Sequence, residues 1–119
     1  MDDKPDWDDV VAKLARKTKQ GLVDWERAKL RTPAGEKQGI IYVAEVLGKR
    51  VAVYEYESRY WTDEDEFHWQ SDVSIEFIDN EDRTEWRFPQ TQGRWDLIDA
   101  IRYREAGAAD FLRNFFEDE

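Results

Sequence analysis

A chain of 119 residues suits one domain with one core and is too short for a multidomain enzyme. Its 28 acids against 18 bases leave a net charge of −10, and no stripe of Lys and Arg interrupts the acid excess, so direct binding to nucleic acid phosphates is not expected. Six Trp, five Tyr and six Phe exclude a solvated, disordered tail, and the absence of Cys excludes disulfides, thiol nucleophiles, zinc-thiolate sites and iron-sulfur clusters.

The chain opens Met1-Asp2-Asp3-Lys4 without a following apolar stretch, and no run approaches the roughly 18 apolar residues of a membrane span, so a cytoplasmic protein without membrane contact is expected. Trp7, Val10, Val11, Leu14, Ala15 and Thr18 recur at the spacing of one helix face. Asp6, Asp8 and Asp9 lie at the amino end of this pattern and Lys17 and Lys19 at the carboxyl end, which complements the helix dipole, and Gly21 suits the residue after the last turn. The spacing therefore predicts a helix over 6–20. Leu22, Val23 and Trp25 suggest a short strand within 22–30, and Pro33, Gly35 and Gly39 mark a loop over 32–39.

Segments 40–47 and 50–56 are rich in β-branched and aromatic residues, and Gly48-Lys49 between them reads as a two-residue hairpin turn. That turn would pair Leu47 with Arg50, Glu45 with Ala52 and Val43 with Tyr54. Both faces of the hairpin are then apolar, which places it centrally in a sheet or leaves its second face for a copy of the chain. In a second hairpin, Val73, Ile75 and Phe77 alternate with Ser74 and Glu76, and Thr84, Trp86 and Phe88 alternate with Glu85 and Arg87. A turn at 79–82 sets Phe77 opposite Thr84 and Ile75 opposite Trp86, and leaves Glu76 and Glu85 on the solvent side with Arg83 and Arg87 to relieve them. Pro89 ends this strand.

Trp95, Leu97, Ile98, Ile101 and Ala106 form a helical stripe ending at Gly107, and Phe111, Leu112, Phe115 and Phe116 form a second, expected to dock. Trp7, Trp25, Trp86 and Trp95 are expected to face inward. The fold predicted is α+β: a five-stranded antiparallel meander with an N-terminal helix and two C-terminal helices packed on one face, in a single domain over 1–119 with 1–6 and 117–119 frayed.

Thr18-Lys19-Gln20-Gly21 followed by Trp25, the Tyr42-x-Ala44 hairpin, Phe77-Ile78-Asp79 and the run Ala106-Gly107-Ala108-Ala109-Asp110-Phe111-Leu112 together resemble a group of small uncharacterised bacterial proteins. The resemblance covers most of the chain. It implies the order helix, antiparallel sheet, helix, helix, and it implies no activity and no site residue.

The most unusual segment is 59–72. Four consecutive acids, Asp63, Glu64, Asp65 and Glu66, lie between Trp61 and the triplet Phe67-His68-Trp69. One reading is a loop presenting the aromatic anchors Trp61 and Trp69, with His68, inside an acidic rim that suits a basic protein or peptide. The plainer reading is a hairpin connection whose acids are solvated and whose rings finish the edge of the core. A calcium loop would need a glycine at its bend, which Asp63, Asp65 and Glu66 lack, so no metal is expected. With one His, no Cys, no phosphate-binding glycine loop and no nucleophile elbow, no cofactor and no enzyme are expected either. Carboxylate pairs such as Glu55 with Glu57 or Asp63 with Glu66 arise by chance among 28 acids.

The expectation is a non-enzymatic binding or regulatory protein with a protein partner, a basic one best suited to the charge. The alternatives are a homodimer through the second hairpin face and, more remotely, an acid-base enzyme using His68. Fifteen Asp, and 11 Arg against 7 Lys, are equally compatible with a host whose proteins work in high salt, which needs no partner.

Overall fold

The computed structural model describes residues 6–29 and 37–118. Asp6 accepts a hydrogen bond from the Asp8 amide and caps α1 (Trp7–Lys19), whose acidic first turn and basic last turn match its dipole. At the far end Gly21 takes φ +75°. Its amide bonds the Thr18 carbonyl while that of Leu22 bonds the Lys17 carbonyl, the Schellman pair of a helix stop. Of the ends expected to fray, residues 1–5 and 119 lie outside the described residues, whereas Asp6 caps α1 and Glu117 closes the last helix.

Among the described residues six antiparallel stretches build one sheet: β1 (Glu26–Ala28), β2 (Lys37–Gln38), β3 (Ile41–Val46), β4 (Lys49–Trp61), β5 (Phe67–Ile78) and β6 (Thr84–Arg87). Their spatial order is β1-β3-β4-β5-β6, and β2 pairs with β4 farther along, opposite Tyr56 and Glu57. The path is the expected five-row meander. The loop predicted over 32–39 lies partly outside the described residues, and Lys37 and Gln38 within it are β2.

Two registers differ from the sequence reading. The first turn is Leu47-Gly48, with φ +52° and +79°, so Val46 pairs with Lys49, Ala44 with Val51 and Tyr42 with Val53. This register sets Tyr42 against apolar Val53, where a Gly48-Lys49 turn would have set it against Glu55. The same residues still share each face, because the two registers differ by an even number of positions. In the second hairpin Phe77 pairs with Trp86 and Glu76 with Arg87, and a bulge between Phe77 and Ile78 brings Thr84 opposite Ile78. Asp79 shapes that turn: its carboxylate accepts the amides of Glu81 and Arg83, and the Arg83 amide foremost holds the carboxyl below its usual pKa.

The chain closes with α2 (Arg94–Glu105) and α3 (Ala108–Glu117). On one sheet face Tyr42, Ala44, Val51, Val53, Val73 and Ile75 meet Val11 and Leu14 of α1 and Leu97, Ile98 and Ile101 of α2. Each fully buried aliphatic here contributes about 1.5–3 kcal/mol. Trp25 is buried too, and its indole N–H donates to Thr18 Oγ1, which in turn donates to the Leu14 carbonyl. Trp7 and Trp95 pack partly buried at the margin, whereas Trp86 is 43% exposed: at the edge strand one side of its ring has no neighbouring strand to cover it, contrary to the inward placement expected.

On the opposite face Ile41, Val43, Ala52, Tyr54 and Ile78 are also buried. Both faces of the central hairpin are therefore buried within the single chain. Glu76, expected in solvent, lies on this second face at 3% exposure. Its carboxylate accepts from the Tyr54 hydroxyl at 2.9 Å, Ser74 Oγ at 3.0 Å, Thr84 Oγ1 at 2.8 Å and the Arg87 guanidinium at 3.1 and 3.2 Å. A buried carboxylate is tolerable because these hydrogen bonds, two of them from a cationic guanidinium, replace its water. Arg87 supplies the relief foreseen for it, across the strand pair.

α3 differs from the expected docked helix. It follows α2 across Gly107, and none of its residues is buried. The Cα radius of gyration of 16.6 Å exceeds the roughly 13.5 Å of a compact domain of this length, as expected when elements stand off the body.

Candidate functional site

The segment read as a loop over 59–72 is mostly strand. β4 and β5 run on past their last helix-covered residues as a two-stranded arm, pairing Arg59 with Trp69, Tyr60 with His68 and Trp61 with Phe67. Only residues 62–66 turn. Alternating aromatic and polar residues continue the pleat outward, so the strands keep pairing where no helix covers them. Arg102, in the last turn of α2, reaches Glu55 at 2.8 Å near the base of the arm, and from 59 to 71 every residue is exposed.

Strand alternation divides the candidate residues between two faces. Trp61, Phe67 and Trp69 share the face that, lower in the sheet, carries the helices. Trp61 and Phe67 have ring centroids 4.9 Å apart, and Phe67 meets Trp69 edge-on at 5.7 Å. The Arg59 guanidinium lies 5.1 Å from the Phe67 ring and 5.5 Å from Trp69, a cation–π contact on both. Such contacts are worth about 0.5–1 kcal/mol each at exposed sites and hold the rings as a platform. Trp61 stays 54% exposed, Phe67 40% and Trp69 36%. The plainer reading, that these rings finish the edge of the core, does not describe them.

His68 lies on the opposite face, its ring tilted by 43° against that of Tyr60 with centroids 5.0 Å apart. It belongs to a second, smaller aromatic pair and not to the tryptophan platform. The four acids cap the tip. The amides of Thr62 and Asp63 both donate to the Glu66 carbonyl, at 3.0 and 3.2 Å, and the Asp63 carboxylate accepts the Glu64 amide at 2.6 Å. Asp63, Glu64, Asp65 and Glu66 are all exposed, next to the platform and beyond it.

Glu55 and Glu57 lie on the platform side of the arm base, where Glu55 is tied to Arg102. Among the described residues no cluster of three His, Cys, Asp or Glu side chains can hold a metal ion. Sequence reasoning missed two features. Arg59 could have been found by its period-two spacing from Trp61. The burial of Glu76 was signalled by its neighbour strand, which is apolar on both faces and must therefore be covered on both.

No protein-family model matches the chain, and neither a curated protein nor a solved structure matches it.

Proposed function

We propose that the protein is a non-enzymatic binding or regulatory module that grips a protein partner with its β4–β5 arm, the partner being basic where it meets the tip. The observation that carries this reading is the platform of Trp61, Phe67 and Trp69, three large rings left in solvent on one face of an arm. An exposed aromatic cluster rimmed by charge is the composition of an interface core. The acids at the tip favour a cationic partner and would steer its approach, while the rings supply affinity after contact. A non-catalytic role is supported by His68, which is turned away from the platform and packs against Tyr60.

The test is capture of partners from host extract on the immobilised protein, with Trp61→Ala/Trp69→Ala and Asp63→Asn/Asp65→Asn variants in parallel. A partner held by the wild type should bind the tryptophan variant at least about 30-fold more weakly, since central aromatic anchors are worth 2 kcal/mol or more. The carboxylate variant should bind more slowly and lose most of its salt dependence. Equal retention by all three proteins would sink the proposal.

A further inference from the structure

A second pair of surfaces, independent of the arm, points to self-recognition. α3 carries Phe111, Leu112, Phe115 and Phe116 on one side, at 65%, 44%, 63% and 74% exposure. Phe111 and Phe115 stack at 5.9 Å, and Phe116 meets Phe115 edge-on at 5.6 Å. A helix of 10 residues with no buried side chain is shorter than the roughly 12–15 residues that isolated helices need in water. Its electrostatics are also adverse. Glu117 and Asp118 sit at the negative end of its dipole, and no basic residue occupies the last turn. Such a helix is stabilised by whatever covers its apolar side and neutralises its carboxyl end.

The same chain holds a groove with those properties. Between α1 and the turn end of the sheet runs a cavity of about 570 Å³. Trp7, Val10 and Leu14 form one wall, and Val46, Phe77 and Phe88 the other. Leu22 and Leu47, 68% and 99% exposed, stand at its mouth. The charged residues lining it are Lys13, Lys17 and Lys49 against one acid, Glu45, a local basic excess in a chain of net charge −10. On α3 the balance is reversed: Asp110, Glu117 and Asp118 against Arg113, which is paired with Asp110.

We infer that the groove receives α3 of a second copy of this chain, and that the exchange is reciprocal. Each copy would lay its phenylalanine stripe under α1 of the other, as an amphipathic helix enters an apolar groove, with Glu117 and Asp118 reaching the lysine rim. Two complementary surfaces on one chain, used twice about a two-fold axis, close a dimer and leave no open end.

Sedimentation of the full chain tests this with two charge reversals, Lys13→Glu/Lys17→Glu on the groove and Glu117→Lys/Asp118→Lys on the helix. These positions are exposed, so both variants should fold, which circular dichroism verifies. The wild type should dimerise, and each variant alone should do so about tenfold or more weakly, because like charges then meet in both contacts. An equimolar mixture should recover the dimer, since acidic α3 then meets a basic groove in one contact and basic α3 an acidic groove in the other. Trp61→Ala/Trp69→Ala should dimerise as the wild type does, which separates this inference from the role of the arm. A wild type that stays monomeric at millimolar concentration, a mixture that does not recover, or a dimer lost with the arm tryptophans would each overturn it.

Discussion

The Tyr54–Glu76 contact gives a quantitative test of how the arm is anchored. Tyr54 is 3% exposed and donates its hydroxyl to Glu76 Oε2 at 2.9 Å. Burial first, and then the Glu76 charge and the hydrogen bond to it, push the phenol pKa from 10.0 up to about 12. The folded state therefore holds this proton more tightly than the unfolded state. The resulting stabilisation is fully present below about pH 10 and is lost as pH rises to about 12. At about 1.4 kcal/mol per unit, the rise sets its size at about 3 kcal/mol, a large share of the roughly 5–15 kcal/mol by which domains are stable.

Tyr54→Phe keeps the ring and removes the titrating group. At about pH 8 it should cost roughly 1.5–3 kcal/mol, the range for a hydrogen bond to a charged acceptor. Urea titrations of both proteins, repeated between about pH 8 and 12 and followed by tryptophan fluorescence, give two stability curves. Groups that titrate alike in both proteins cancel in the difference. The gap between the curves should close as pH rises, because only the wild type has a Tyr54 proton to lose. Parallel curves across that window would refute the reasoning and show that Tyr54 ionises as easily in the fold as outside it. The consequence for function is register: Tyr54 and Glu76 lie on the strands that become the arm, and a one-residue slip between them would put Phe67 and Trp69 on the face opposite Trp61 and split the platform.

Three further outcomes are expected. Ile98→Ala, at a fully buried position on the sheet-facing side of α2, should cost about 2–5 kcal/mol, whereas Trp61→Ala on the arm should change stability by no more than about 0.5 kcal/mol; a large loss at Trp61 would mean that the platform is core. Leu47→Asn in dilute solution should raise the urea midpoint by about 1 kcal/mol equivalent, since Leu47 holds φ +52° with its side chain 99% exposed and Asn tolerates that conformation better. Thr18→Val, which keeps the shape of the side chain but leaves the Trp25 indole N–H without its acceptor, should cost about 1–3 kcal/mol, readable by thermal unfolding together with a shift in tryptophan emission.

How far the residues alone reached can be followed element by element. α1 was legible to its caps, because Asp6, the periodic apolar face and Gly21 all report local backbone chemistry. The meander was legible from strand periodicity and short connections. Registers were less so: a turn at Gly48-Lys49 and one at Leu47-Gly48 suit the local sequence almost equally, and the choice falls to what Tyr42 meets on the neighbouring strand. For the candidate site, the sequence joins Trp61, the acids 63–66 and Trp69 in one segment but reads 59–72 as a loop, where the strands pair through 61 and 67. Its strands persist through mutual pairing, which no local propensity reports.

Local chemistry and periodicity in the sequence determined the α+β class, the strand order, the first helix with its stops, and Trp61–Trp69 as the segment joining rings to acids. Tertiary structure alone decided the rest. It buried Glu76, because four donors converge on it from three strands, and it set Trp61 and Trp69 on one face with His68 on the other, because pairing fixes parity along the arm. It also left α3 uncovered. An apolar stripe shows that a helix requires a partner surface, but whether that surface belongs to its own domain depends on the space left around α1 and α2, which one segment's sequence does not contain.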